Sequence, residues 1–152
     1  MISSKVFVTF EKIIDQIPIS GKKIKQKNYL KYGKYPIIDQ GKFLIGGYTN
    51  DNSKTIKQSF PIIVFGDHSK NVKFLDFPFA PGADGVKLLK VKKGISSKFI
   101  YYNILLLSKQ IINKGYARHF QYILKKEITL PPLPEQRAIV SKIDQLFSEL
   151  DN

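Results

Sequence analysis

The sequence predicts an α+β fold: an irregular mixed β-sheet domain with packed helices, closed by a helix that carries the opening of a coiled-coil seam. Three observations point there. Residues 35–91 run as short apolar segments separated by turn residues. The apolar period then lengthens to that of a helix near Ser96. Strands and helices are grouped, with no regular βαβ alternation, which argues against a doubly wound fold.

Val, Ile, Phe and Tyr fill the strand segments, and Gly, Pro, Asn and Asp fill the gaps. In order they are "YPII" (35–38), "FLIGGYT" (43–49), "SFPIIVF" (59–65), "VKFLDF" (72–77) and "VKLLKV" (86–91). A helix follows, with Ser96 or Ser97 as N-cap, apolar residues at 99, 102, 106, 107 and 111, and Gly115 just past its end. A shorter amphipathic piece, "FQYILKKE", leads into "ITLPPLP". The prolines forbid helix there, because each lacks a backbone donor and holds its predecessor extended. Pro134 then suits the first helical position, and Glu135 in the first turn suits the helix dipole. Ile139, Ile143, Leu146 and Leu150 follow at alternating spacings of four and three, an a/d seam of two heptads. Such a seam is too short to hold a partner by itself, and a helix docked on its own domain fits the periodicity equally well.

The chain has 152 residues, the length of one domain with a substantial core. It has no cysteine, so it has no disulfide framework and no Cys-based metal site. That fits a reducing cytoplasm, and the N-terminal stretch reads as no signal peptide. The longest apolar run, "FIYYNILLL", is too short to span a bilayer, and no basic amphipathic helix suggests a membrane surface. Charge is the dominant feature. Residues 1–130 hold 23 Lys and Arg against 8 Asp and Glu, a balance of +15, whereas residues 131–152 hold 2 against 4. A body this basic suits a polyanion; a lysine-rich composition filling a solvated surface is the competing explanation.

No catalytic constellation is present. His68 and His119 are the only histidines, and zincin, serine-hydrolase and P-loop patterns are missing from the sequence. The sequence therefore suggests a chain without catalytic residues, metal or cofactor. Three basic stretches interleaved with aromatic residues remain. "GKKIKQKNYLKYGKY" (21–35) offers Lys22, Lys23 and Lys25, and Lys42 follows shortly after. "FGDHSKNVKF" (65–74) places His68, Lys70, Asn71 and Lys73 beyond a strand end. "NKGYARHFQYILKK" (113–126) crowds Tyr116, Arg118, His119, Gln121 and Tyr122 together, with Lys125 behind them. Arg can bridge a guanine edge and Gln an adenine edge, the pairing used in direct readout of double-stranded DNA. The same stretches also read as a solvated loop, an ordinary hairpin and a helix start with core aromatics.

Taken together these residues resemble a target recognition domain in the specificity subunits of type I restriction-modification systems. "ITLPPLPEQRAIVSKIDQLFSEL" is similar to the close of that domain, where a short strand and a proline brace open a long coiled-coil spacer helix. "GKYPIIDQGKFLIGGY", "PIIVFGDHSKNVKF" and "SSKFIYYNILLL" resemble earlier parts of the family pattern, and "GYARHFQYILKK" sits where the family carries its last recognition loop. The resemblance implies a non-catalytic DNA reader over residues 1–133 and the start of a spacer helix over 134–152. It implies further partners: adenine methyltransferase subunits, restriction subunits in the full complex, and a second recognition domain or half-subunit. Ile139, Ile143, Leu146 and Leu150 would form that last interface. The family carries two recognition domains and a longer spacer, so this chain reads as an excised domain or a half-subunit. A detached recognition domain of a fused restriction-methylation enzyme, or a decoy that binds methyltransferase subunits, are the alternatives.

Overall fold

The run "IIVF" has no polar residue on either face, and such a strand is stable only when both faces are covered. The computed structural model, which describes residues 6–57, 60–111 and 118–151, supplies both covers. Its strands are β1 (Val6–Thr9), β2 (Ile14–Ile17), β3 (Tyr35–Ile38), β4 (Gly47–Thr49), β5 (Ile62–Gly66), β6 (Val72–Leu75), β7 (Ala80–Pro81), β8 (Val86–Val91) and β9 (Glu127–Leu130). The helices are α1 (Ser97–Gln110), α2 (Phe120–Leu124) and α3 (Leu133–Leu150).

The central sheet is antiparallel in the order β2-β8-β5-β6. A mixed sheet, β4-β3-β7, pairs β3 antiparallel to β4 and parallel to β7. A separate ladder joins β1 to β9 with Val6 opposite Leu130. On β5, Ile63 and Phe65 face a core shared with Phe10, Leu89, Ile100, Ile104, Phe120 and Ile123. Ile62 and Val64 face the other core, with Ile38, Ile56, Leu75, Phe79 and Leu88. Each fully buried side chain of this kind contributes about 1.5–3 kcal/mol, so β5 is the strand on which both cores depend.

The helical expectations are met in part. Ser96 caps α1, its hydroxyl accepting from Phe99 N at 3.2 Å. Gly115 lies outside the described residues. The buried face of α1 is Phe99, Ile100, Ile104 and Ser108, not the stripe through 102 and 106 expected from the sequence. Leu106 is 60% exposed. Tyr102 instead turns toward α3, where its hydroxyl donates to Asp144 and Lys98 pairs with the same carboxylate at 3.1 Å. Pro132 is the N-cap of α3, one residue before the expected position, which puts Pro134 second in the helix.

Gln136 fixes how α3 meets the domain. It is 2% exposed, its Nε2 donates to Pro131 O at 2.8 Å, and its Oε1 accepts from Ser96 N at 2.9 Å. One side chain thus joins the proline brace to the start of α1. Val140 packs on the first core, and the Phe147 ring lies 6.0 Å from that of Tyr102. The a/d seam lies beside this docked stripe: Ile143 is partly covered, while Ile139, Leu146 and Leu150 stay exposed. No helix among the described residues is long and apolar enough to cross a membrane.

Replacing Gln136 by Ala orphans a buried carbonyl and a partly buried amide, and costs roughly 1–3 kcal/mol in urea unfolding. Equal midpoints for variant and parent would contradict the bridging role.

Candidate nucleic-acid interface

The end of β5 and the turn that follows gather three loops onto one rim. Gly66 closes the strand, and the chain returns into β6 through a turn in which Lys70 has φ 65° and its N donates to Gly66 O at 2.9 Å. Asp67, buried at the base of this turn, uses its amide, its carbonyl and one carboxylate oxygen. Its N donates to Gly85 O at 2.8 Å, its carbonyl accepts from His119 N at 3.0 Å, and its Oδ1 accepts from Phe120 N at 2.9 Å. A carboxylate at the first amides of a helix suits both the orphan donors and the dipole. Asp67 therefore sets where Arg118 and α2 stand relative to His68.

Beneath the 39–45 loop lies Lys73. Its side chain is 7% exposed, and its Nζ donates to Asp39 O at 2.7 Å and Phe43 O at 2.6 Å, with Asp39 Oδ1 at 3.8 Å. Burial lowers its pKa, and the neighbouring Asp39 opposes that shift. Asp39 also accepts from the Tyr29 hydroxyl at 3.0 Å. Above this support the loop presents exposed Lys42 and Leu44, and Phe43 at 70% exposure. The Lys42 ammonium sits 5.2 Å from the Phe43 ring centre, within cation–π reach.

These positions correct two expectations. Lys73 is not a surface cation, because its ammonium is consumed by loop carbonyls. His119 is not a rim donor either: it is 3% exposed, and its Nε2 has no hydrogen-bond partner among the described residues. Two further residues hold structure while bordering the rim. Asn71 Nδ2 donates to Gln40 O at 2.9 Å, and Lys70 Nζ donates to Ile111 O at 3.1 Å. Tyr116 lies outside the described residues.

What remains exposed is chemically coherent. His68, Arg118, Gln121, Tyr122 and Lys125 reach solvent, and Lys126 sits 4.3 Å over the Tyr122 ring. A shallow groove of about 270 Å³ runs between Lys42, Ser69, Lys70 and Lys109. A second, of about 420 Å³, is lined by Lys23, Lys25, Lys27 and Lys54. Lys22 belongs to neither; its Nζ donates to Ser53 O at 2.9 Å. The second groove adjoins the 82–85 turn through Ile24, whose O accepts from Ala83 N at 2.8 Å. Asp39, Gln40 and Asp67 were not singled out from the sequence. Their partners lie from ten to more than fifty residues away, a separation that no local pattern encodes.

Residues 8–152 match the family described as type I restriction modification DNA specificity domain. The chain is 28% identical over 133 residues to the type I restriction enzyme EcoR124I/EcoR124II specificity subunit of Escherichia coli, covering 83% of this chain and 33% of that one. It thus spans about a third of the length of the curated relative that it matches. Among solved structures it is similar to the HsdS subunit from Thermoanaerobacter tengcongensis, with a TM-score of 0.68 and 17% identity, over 97% of this chain and 38% of that one. It is also similar to the type I restriction-modification S subunit from M. genitalium, with a TM-score of 0.74 and 17% identity, over 99% of this chain and 41% of that one. At those identities the structural likeness is one of fold.

The buried imidazole is expected to make folding stability depend on pH. Burial and then the Lys70 charge lower the His119 pKa below its ordinary 6.5, with Asp67 opposing and His68 adding to the shift. Between that lowered value and about 6.5 the unfolded chain binds more protons, so stability is full above the window and falls as pH falls through it. Urea unfolding from about pH 7.5 to 5 should show this fall, and His119→Leu should flatten it. An unchanged slope in the variant would assign the pH dependence elsewhere.

Proposed function

The chain belongs to the type I restriction modification DNA specificity domain family, and from that premise we propose that it reads one half of a split duplex target without chemistry of its own. The observation that carries the reading is the convergence of the 39–45 loop, the 66–71 turn and the residues around the start of α2 on one basic rim. Arg118, Gln121 and His68 are the base readers, since each presents donors from an exposed position beside the Asp67 anchor. Lys42 and Lys125 contact phosphate on the rim, and Lys23 and Lys25 extend the positive path along the flank.

Residues 1–133 form the reader and 134–152 begin the spacer. The seam through Ile139, Leu146 and Leu150, which are exposed, and Ile143, which is partly covered, receives a second recognition domain or half-subunit, which is consistent with its position beside the stripe that docks on α1. Adenine methyltransferase subunits bind this assembly, and restriction subunits join it in the full complex.

Selection of bound sequences from a random duplex library tests the proposal directly. The chain should enrich a short motif, and Arg118→Ala should lose roughly 1–3 kcal/mol on that motif and little on unrelated DNA. Lys125→Ala should weaken both equally and lower the salt slope by about one. An Arg118→Ala profile identical to the parent at every position would remove Arg118 from the readers. Failure of the parent to enrich any motif would remove the function.

A further inference from the structure

Gln40 belongs to no basic stretch, yet more of the rim is bonded to it than to any of the proposed readers. It follows β3, and its side chain reaches beneath the tip of the 66–71 turn. Its Oε1 accepts from two consecutive amides, His68 N and Ser69 N, each at 3.1 Å. Its Nε2 donates to Asp84 O at 2.9 Å. Its own carbonyl accepts from Asn71 Nδ2 at 2.9 Å. One residue therefore holds both ends of the turn tip and ties it to the 82–85 turn.

The surrounding sequence leaves room for this side chain. A Cβ at Gly66 would lie 2.6 Å from Gln40 Cβ, and a Cβ at Gly85 would lie 2.6 Å from Gln40 Nε2. Gly85 also has φ +76°, a region that L-residues rarely adopt. Both glycines are thus placed where a larger residue would displace the amide. With its amides satisfied from below, the His68–Ser69 tip is presented toward solvent in a set position.

We infer that Gln40 is a positioning residue for base reading: its amide fixes the His68–Ser69 tip and couples that tip to the 82–85 turn. The inference rests on the DNA-reading assignment, and it deepens that assignment by naming a specificity-determining group that need not touch DNA. An amide is required because the position needs an acceptor for two N–H groups and a donor for a carbonyl at once. Glutamate supplies only the first, and leucine supplies neither.

Two measurements on the full chain test it. Amide hydrogen exchange should quicken by about tenfold or more at His68 and Ser69 in Gln40→Leu, as expected when two amides lose their acceptor. Site selection should show Gln40→Leu losing about tenfold discrimination at the positions that His68→Ala also loses, with the double variant no worse than either alone. A merely structural role predicts additive losses spread over the motif. If Gln40→Leu does not fold, Gln40→Glu decides, with a smaller loss expected at those same positions. Unchanged exchange at both amides, or a selected profile equal to the parent's, would overturn the inference. A parent that selects no motif would defeat the DNA-reading assignment, and the exchange measurement would still decide the role of Gln40 in holding the tip.

Discussion

The hydrogen bonds of Asp67 are the constraint on which the basic rim depends. Asp67 stands one residue past β5, the strand buried on both faces, so its backbone position is inherited from the centre of the fold. Through it the 85 turn, His119 and the first amide of α2 are referred to that strand. A buried carboxylate is costly unless its oxygens are used, and here an α2 amide uses one of them. The result is a set of loops whose positions follow from the core and not from their own sequence.

The same economy governs the charges. Among the described residues only two ion pairs form, Lys73 with Asp39 and Lys98 with Asp144, and neither uses a cation of the rim. The first is buried and supports a loop; the second is partly exposed and contributes little on its own. Most of the positive charge is therefore left to solvent, where a polyanion can neutralise it and release counterions. Polar groups that point inward give the rim its shape, and those that point outward leave it its charge. Lys73 and Lys42 are close in the fold and belong to opposite classes.

Much of the scaffold was legible in the sequence. The limits of β3 and β8, a serine cap at 96 or 97 and the helix after the proline brace all follow from turn residues, caps and periodicity. β1 and β2 carry too little strand signal of their own, because each is four residues long and gains its partner from far away: β9 for one and β8 for the other. The face that α1 buries differs from the expected stripe because apolar residues are spread widely around that helix, so period alone does not choose the stripe to bury. Lys73 had a usable signal. It shares strand parity with Leu75, and both point inward from β6, which period-2 reasoning could have caught. His119 had none, since its burial depends on contacts with a turn some fifty residues earlier.

The central claim is that the loops anchored by Gln40, Lys73 and Asp67 form a single DNA-facing surface distinct from the α3 seam. Amide chemical-shift mapping with a short duplex bearing the selected motif tests it most directly. The account predicts that residues 42–44, 68–69 and 118–125 shift together at one saturation point, while Ile139, Leu146 and Leu150 do not move. Shifts concentrated on α3, with the rim unperturbed, would contradict it.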